Sequence, residues 1–194
     1  MELKQAKEKA EKFAHELKKV NEQLREMAFR DGLTGLYNHR YFQDLMDNEL
    51  SRSKRYNKSF SLMILDLDHF KKINDEYGHP VGDVVLKEVS KAIENTIRDS
   101  DAAARYGGEE FAIVLPETEL KGAAILAERL RKAIEQLEID TNGCRIDVTV
   151  SVGVTCYHPS TNKKEKSEIL AEADNALYNS KNKGRNMISI HNNG

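Results

Sequence analysis

The sequence of 194 residues predicts an α+β domain that follows a long N-terminal helix. The first 30 residues lack glycine and proline and repeat apolar residues at the spacing of a helix. From about residue 60 onward, short apolar or alternating segments, which are typical of strands, are separated by longer segments of helical periodicity. Their order is β-α-β-β-α-β, so we expect the split βαβ, or ferredoxin-like, arrangement, an antiparallel sheet with helices on one face.

Each element of the domain is predicted from a local signal. Asn38 can cap a helix over about 39–54, and the mostly apolar segment 60–68 is typical of a buried strand. A helix is expected over about 82–98, and alternating valines predict a strand over 147–155. The remaining predicted elements are a hairpin formed by 102–106 and 111–115, helices at 120–137 and 166–182, and a last short strand at 187–190.

The N-terminal segment carries an unbroken heptad pattern. Apolar residues occur at positions 3, 6, 10, 13, 17, 20, 24 and 27, alternately three and four residues apart. This narrow stripe favours a parallel coiled coil over the alternative, an amphipathic helix that lies on its own domain. We therefore expect a coiled-coil signalling helix at 1–30, which would make a homodimer, and a globular domain at 31–194. We also hypothesise that the helix belongs to a longer signalling helix whose sensor is missing here.

Composition limits the partners and the compartment. The chain has 30 Lys+Arg and 32 Asp+Glu, a net charge of −2, so no nonspecific nucleic-acid partner is expected. Its apolar runs are too short to cross a bilayer, and its first residues do not resemble a signal peptide. Cys144 and Cys156 have neither the spacing of metal ligands nor the density of a secreted scaffold. We expect a cytoplasmic chain with reduced thiols, although the sequence leaves a disulfide open.

Four carboxylates are predicted to lie near one edge of the sheet. Asp66 and Asp68 alternate at the end of the strand 60–68, and Glu109 and Glu110 occupy the tip of the hairpin. The two segments can be neighbours in the proposed topology, and carboxylates brought together in this way repel one another unless a cation such as Mg²⁺ binds them. An Asp-x-Asp pair alone is weak evidence, since two exposed loop carboxylates are the usual outcome.

The residues beside this edge suit a nucleotide. Gly107 and Gly108 permit a tight turn and leave room for a bulky ligand. The segment 70–83, interpreted as a loop, offers backbone N–H groups and a lysine to phosphates. Asn74 and Asp83 could recognise a guanine edge, which offers two donors to a carboxylate. The alternative is that Asn74 is a turn residue and Asp83 a helix N-cap.

Five segments together resemble the GGDEF-domain diguanylate cyclases. The resemblance extends from about Asp31 to Ile190, nearly the whole globular part. Five motifs that occur in the same order and at similar spacing as in that family make the resemblance highly specific. They are 31–40 (DGLTGLYNHR), 66–83 (DLDHFKKINDEYGHPVGD), 105–111 (RYGGEEF), 150–153 (VSVG) and 173–186 (ADNALYNSKNKGRN).

The resemblance implies a fold akin to polymerase palms and class III nucleotidyl cyclases, and a metal-dependent reaction on GTP. Two Mg²⁺ ions per GTP site, or Mn²⁺ in their place, would be held by Asp66, the Leu67 carbonyl and Glu109. Glu109 would also act as the base toward the 3′-hydroxyl, and Lys71 would stabilise the transition state. The remaining implied contacts are Asn74, His79 and Asp83 on the nucleoside, and Lys181, Arg185 and the N–H groups of Phe70 and Lys71 on the phosphates.

The implied activity is the condensation of two GTP into cyclic di-GMP and two pyrophosphate. Each domain would hold one GTP, so two chains would have to face each other. Arg98 and Asp101 would form an inhibitory site for the product; a charged helix end is the alternative for this pair. Three other functions remain open: a catalytically silent module that binds GTP or cyclic di-GMP, a purely dimerising module, and an adenylyl or mixed cyclase, which Asp83 disfavours.

Overall fold

A computed structural model describes residues 12–13, 16, 18, 28–141, 143–161 and 163–191. The predicted coiled coil falls almost entirely outside the described residues, so it stays a prediction. Within the part of the chain that the structure covers, no helix has both the length and the apolar composition needed to span a membrane. Both cysteines are free; Cys144 is exposed and Cys156 is partly buried.

Within the described residues, seven strands form one large sheet and one small hairpin. The large sheet has the order β2-β3-β1-β6-β7, and β1 lies at its centre between two antiparallel neighbours. The last strand pairs parallel with β6, so the sheet is mixed rather than antiparallel throughout. The strands are β1 Phe60–Leu67, β2 Ala102–Arg105, β3 Glu110–Pro116, β4 Ile139–Thr141, β5 Cys144–Ile146, β6 Val150–Tyr157 and β7 Ile188–Ile190; β4 and β5 form the separate hairpin.

Within the described residues from 30 onward there are five helices, and two of them occupy the segment 70–83 that was expected to be a loop. Pro80 lies in the first turn of the helix that begins at His79, where proline is tolerated because no N–H partner is needed. Asp83 therefore lies inside the second turn of its helix and is not an N-cap, contrary to the alternative prediction. The helices are α1 His39–Tyr56, α2 Phe70–Tyr77, α3 His79–Thr96, α4 Leu120–Glu135 and α5 Lys166–Asn182.

The predicted α+β core of order β-α-β-β-α-β is confirmed, with its helices α3 and α4 on one face of the sheet. The expectation that the other face carries no helices is wrong, because α1 and α5 cover it. On one face, Val85 of α3 and Leu130 of α4 belong to the same buried cluster as Leu65 of β1. On the other face Met46 of α1 and Leu177 of α5 belong to a second cluster, which includes the alternate residues of β1. All eight residues of β1 are buried. A continuous apolar strand of this kind is typical of a sheet that is covered on both sides.

A glycine lets α5 approach the sheet at backbone distance. A Cβ atom at position 153 of β6 would overlap the Ala173 carbonyl oxygen and would lie 2.9 Å from Leu177 Cα. Ser180 of α5 donates a hydrogen bond of 2.8 Å to the Val152 carbonyl. This close packing brings the C-terminal end of α5 to the end of β1.

The turn that follows the N-terminal segment is tied to the hairpin between β2 and β3. Asp31 accepts hydrogen bonds from the backbone N–H and the hydroxyl of Thr34, at 2.9 and 2.7 Å. Arg105 pairs with Asp31 at 3.3 Å and donates to the Gly108 carbonyl from Nε and Nη2, at 3.2 and 2.8 Å. One guanidinium thus connects the entry of the domain with the hairpin tip.

Asp31→Asn is expected to destabilise the domain more at neutral pH than at acid pH. Burial raises the pKa of Asp31, but the Thr34 hydrogen bonds and the Arg105 charge outweigh it, so the pKa lies below 3.8. A carboxyl of this kind stabilises the fold above its unfolded-state pKa, and the contribution disappears as the pH falls through the folded-state pKa. We expect a loss of about 1 kcal/mol at pH 7. Urea unfolding at pH 7 and pH 3 measures it, and an equal loss at both values would contradict the assignment.

Candidate active site

The end of β1 and the tip of the β2–β3 hairpin lie side by side. Asp66 is opposite Glu110 in the register of β1 and β3, and the Leu67 N–H donates to the Glu109 carbonyl at 3.3 Å. Asp66 is only 7% exposed. The expected meeting of the strand end with the hairpin glutamates is therefore what the structure shows.

Three carboxylates at this point act on one another. Burial raises the pKa of Asp66, and a hydrogen bond and the charge of Lys181 offset part of this rise. Burial also raises the pKa values of Glu109 and Glu110, and the negative charge of Asp66 raises both further. The Lys181 Nζ lies 2.7 Å from Asp66 Oδ2. Three acidic groups against Lys181 and, more weakly, Arg185 leave an excess of negative charge on hard oxygen donors, which suits a divalent cation.

The side chains alone do not complete a metal cage. Among the described residues, no three His, Cys, Asp or Glu side chains converge closely enough to hold an ion. A cation bound at this point would therefore need other oxygen ligands, such as a backbone carbonyl, water or the phosphates of a substrate. Mg²⁺ is usually held in this way, by one or two carboxylates plus substrate oxygens.

Asp68 adjoins this acidic group, since its charge raises the pKa of Asp66, but its oxygens are occupied by hydrogen bonds and it is not free to join the expected cation site. Its oxygens accept hydrogen bonds from the Thr149 and Ser151 hydroxyls, at 2.8 and 2.7 Å, and from the Asn186 N–H, at 2.9 Å. Asp68 is 5% exposed. A buried carboxylate that is paired with three donors serves to hold its neighbours and is not free to bind an ion.

Asp174 is a further acidic residue near the site that the sequence reasoning missed. It lies on α5, and its charge raises the pKa values of Glu110 and Tyr106. Burial raises the pKa of Asp174 itself. Its spacing from Lys181 is seven residues, or two helical turns, which places both on one face of α5. That spacing is the signal that could have identified it.

The two glycines of the hairpin do not serve the tight turn that was expected of them. Neither has a positive φ, so neither is needed for its backbone conformation. A Cβ at Gly107 would overlap the Glu110 carboxylate, whereas a Cβ at Gly108 would meet no atom within 4 Å. The first glycine makes room for a side chain of the site, and the second leaves open space beside Glu109.

The helix pair α2–α3 carries the predicted nucleoside and phosphate contacts. Phe70 and Lys71 form the first turn of α2, where backbone N–H groups have no partner within the helix. Asn74 follows one turn later and is partly buried. His79 and Asp83 are exposed in the first turns of α3. The predicted residues thus lie on the short helix α2 and in the first turns of α3, directly after β1.

Gly82→Ala is expected to weaken the binding of GTP that the sequence predicts, without unfolding the domain. The new Cβ would overlap Asn74 Oδ1 and lie 3.1 Å from Phe70 Cζ. The Asn74 side chain can rotate away, so the fold survives, but the amide no longer occupies its original position. Removal of one such polar interaction would raise the KM for GTP about tenfold. Steady-state kinetics with thermal melts test this. Gly32→Ala is the control, because a Cβ there has no neighbour within 4 Å. An unchanged KM in Gly82→Ala would contradict the predicted contact between Asn74 and the nucleotide.

The two basic residues of the last motif lie at the end of α5. Lys181 is in the last turn of the helix, and Arg185 follows the helix in a left-handed conformation with φ 65°. The charge of Arg185 also lowers the pKa of Asp66, although less than Lys181 does. Both positive charges therefore act on the end of β1.

A separate cavity contains the Arg98–Asp101 pair. Asp101 Oδ2 accepts a hydrogen bond of 2.9 Å from the Arg98 N–H, just beyond the end of α3. The cavity has a volume of about 290 Å³ and is open to solvent. Its other lining residues are Arg30, Leu36, Tyr37, Glu94, Ile97, Asp99 and Ala103.

The family model described as "Diguanylate cyclase, GGDEF domain" matches residues 28–187. Among curated proteins, the chain is 42% identical to Diguanylate cyclase A of Treponema denticola over 176 residues, which are 89% of this chain and 47% of the relative. It is 38% identical to Diguanylate cyclase DgcP of Pseudomonas aeruginosa over 170 residues, 87% of this chain and 25% of the relative. The chain thus spans about half the length, or less, of these relatives.

Solved structures agree with this match. The coiled coil and GGDEF domain of DgcB from Caulobacter crescentus, in complex with c-di-GMP, has a TM-score of 0.86 at 30% identity and covers 98% of this chain and 100% of that chain. The active GGEEF domain of a diguanylate cyclase from Vibrio cholerae has a TM-score of 0.75 at 32% identity, over 81% of this chain and 98% of that chain. By the family model, the identities and the shared fold, the chain belongs to the GGDEF domain family of diguanylate cyclases.

Proposed function

We propose that this chain is a diguanylate cyclase that condenses two GTP into cyclic di-GMP and releases two pyrophosphate. The observation that carries the proposal is the meeting of Asp66, Glu109 and Lys181 at one end of the sheet. Two carboxylates and a cationic side chain at one point suit a metal-bound triphosphate. Relatives that are named as diguanylate cyclases share this part of the chain at about 40% identity, which supports the same reaction.

The donor set fits two Mg²⁺ ions. Asp66, the Leu67 carbonyl and Glu109 would hold them, because these groups supply hard oxygens and the site has an excess of negative charge. When bound, the ions would supply Lewis-acid chemistry, activating the attacking hydroxyl and stabilising the pyrophosphate that leaves.

Glu109 receives a proton from the substrate in this mechanism. The 3′-hydroxyl of one GTP attacks the α-phosphorus of the other, the bond to the pyrophosphate oxygen breaks, and the hydroxyl proton passes to Glu109. The Glu109 residue adjoins the end of β1, where its carboxylate can accept this proton. Lys71, Lys181 and Arg185 neutralise the phosphate charges as these develop.

Asn74 and Asp83 select guanine. A carboxylate can accept both donors of the guanine edge, whereas adenine lacks that pair and would leave the acceptors unpaired. The position of Asp83 inside α3 leaves its side chain exposed rather than used as a cap, which supports this role. His79, in the first turn of the same helix, contacts the nucleoside. Equal turnover of ATP and GTP would contradict the assignment of these residues.

Two copies of the chain are needed for one reaction. Each domain would bind one GTP, and the coiled coil at 1–30 would hold two domains at high local concentration. Turnover per chain should therefore fall on dilution, once dimers dissociate. The register of the coiled coil would control whether the two half-sites meet. Insertions that break the heptads should therefore change the rate of cyclic di-GMP formation, and an unchanged rate would refute this control.

The cavity at Arg98 and Asp101 is the proposed site of product inhibition. It offers a guanidinium and a carboxylate to guanine and phosphate, in a space of about 290 Å³. Inhibition by added cyclic di-GMP should disappear in Arg98→Ala. Inhibition of equal strength in this variant would remove the pair from the site.

The second candidate is a domain that binds GTP or cyclic di-GMP and only signals. The presence of Asp66, Lys71, Glu109 and Glu110 disfavours it, because a silent domain has no need of these groups. The test is to strip bound nucleotide from the purified chain, add GTP and Mg²⁺, and resolve the nucleotides by chromatography. Cyclic di-GMP is the expected product. Binding of GTP with no turnover would instead establish the silent module.

A further inference from the structure

The turn that carries Arg185 has an unusual backbone. Gly184, Arg185 and Asn186 all have positive φ values, at 126°, 65° and 46°. Gly184 follows the C-terminal end of α5 in the pattern of a Schellman motif. In this motif the Arg185 N–H donates back to the Ser180 carbonyl, at 3.1 Å. Two successive non-glycine residues in the left-handed region are disfavoured and persist only when the surroundings determine them. The contacts around the turn therefore need an explanation.

Asp68 holds the turn from the side of the sheet. Its Oδ2 accepts the Asn186 N–H at 2.9 Å and the Thr149 hydroxyl at 2.8 Å. The Ser151 hydroxyl donates to Oδ1 at 2.7 Å, which fixes the carboxylate itself. Asp68 lies two residues after Asp66, so the turn is attached to the same strand end that carries the metal-binding carboxylate.

Arg131 holds the turn from the side of α4. Its Nη1 donates to the Asn186 Oδ1 at 2.7 Å, and the Asn186 Nδ2 donates to the Glu135 Oε1 at 2.6 Å. The guanidinium is oriented by Glu128, at 2.9 and 3.0 Å, and by Glu135, at 2.9 Å. Its side chain is 11% exposed. The backbone and both side-chain polar atoms of Asn186 are thus bound from two directions.

We propose that Asp68 and Arg131 are positioning residues that hold the turn 184–186 and so direct the Arg185 guanidinium toward the phosphates of the nucleotide. The inference rests on the proposed function, since it assigns a phosphate role to Arg185. Neither residue touches the substrate. Arg131 lies on a helix that supplies none of the predicted site residues, and its contribution reaches the site through Asn186.

The test compares the same substitution at two arginines of α4. Arg131→Met removes the hydrogen bond to Asn186, whereas Arg129→Met removes an arginine that donates only to the Thr96 carbonyl among its described contacts. The probes are GMP and a GTP analogue with a methylene group between the α and β phosphorus atoms, titrated calorimetrically with Mg²⁺. We expect Arg131→Met to bind the analogue about tenfold more weakly, because one charged hydrogen bond to the phosphates is weakened, with GMP binding unchanged. Arg129→Met should bind both as the parent chain does.

A second variant keeps the inference testable if Arg131→Met does not fold. Asn186→Gly retains the left-handed backbone and the N–H that Asp68 accepts, but it removes both side-chain hydrogen bonds. It should show the same selective loss for the analogue. Equal losses for GMP and the analogue, or parent-like binding in Asn186→Gly and Arg131→Met, would overturn the positioning role. A parent chain that binds neither probe would overturn the proposed function itself.

Discussion

Glu109→Gln should lower the formation of cyclic di-GMP by about a thousandfold or more, because it removes the proton acceptor and weakens the metal site together. The Glu109 carbonyl accepts the Leu67 N–H, so this glutamate lies directly at the end of β1, beside Asp66. Glutamine has the same shape but cannot accept the proton or carry the negative charge. Chromatography of the products from GTP and Mg²⁺ measures the loss.

The fold of this variant should be intact, which separates the loss of activity from unfolding. Burial and the charge of Asp66 raise the pKa of Glu109 in the folded state. Ionisation of Glu109 therefore destabilises the fold as the pH rises from the unfolded-state pKa through the folded-state pKa. Glutamine avoids this cost, so the metal-free variant should melt no lower than the parent at pH 8. Glu76→Gln, an equal charge change on the exposed side of α2, is the activity control. Full activity in Glu109→Gln would contradict its role as the base.

Gly153→Ala should cause the largest loss of stability. The added Cβ would overlap the Ala173 carbonyl oxygen and the Leu177 nitrogen, and it would lie 2.9 Å from Leu177 Cα. These are backbone atoms of α5, so relief requires the helix to move away from β6. We expect a loss of about 3 kcal/mol, the upper range for overpacking in a core, and a fall in the melting midpoint of about 6–12 °C. Urea and thermal unfolding measure both.

Gly122→Ala is the matched control for this loss. Position 122 is exposed in α4, and a Cβ there would have the Thr118 Cγ2 methyl at 3.3 Å as its nearest neighbour. Because alanine favours a helix over glycine, this variant should be as stable as the parent or slightly more so. If Gly153→Ala were as stable as Gly122→Ala, α5 would not pack against β6 at backbone distance.

Much of the fold could be predicted from periodicity. The alternation in the strand β6, the short apolar run of β3 and the helical spacing in α4 and α5 identify these elements to within a few residues. The second layer of helices could not be predicted in this way, because a period gives the faces of one element and not the partner of each face. The continuous apolar run of β1 did indicate a sheet covered on both faces, because a strand with one solvent-exposed face would carry polar residues at alternate positions.

The site was predictable where strand pairing determines it. Asp66 and the hairpin glutamates meet because β1 and β3 are antiparallel neighbours, which follows from the order of the elements. The hydrogen bonds that occupy Asp68 were not predictable, because its partners Thr149 and Ser151 lie more than 80 positions away in the sequence. Arg131 carries no motif of its own and acts only through Asn186. Contacts of this kind depend on the packing of distant elements, which the local sequence pattern does not encode.

The most direct test of the proposed activity is to measure pyrophosphate and cyclic di-GMP in the same reaction of the nucleotide-free chain with GTP and Mg²⁺. Condensation of two GTP predicts that both products accumulate together, with two pyrophosphate for each cyclic dinucleotide, and that ATP in place of GTP gives neither. Pyrophosphate without a cyclic dinucleotide, or unchanged GTP at every chain concentration, would contradict the assignment of this chain as a diguanylate cyclase.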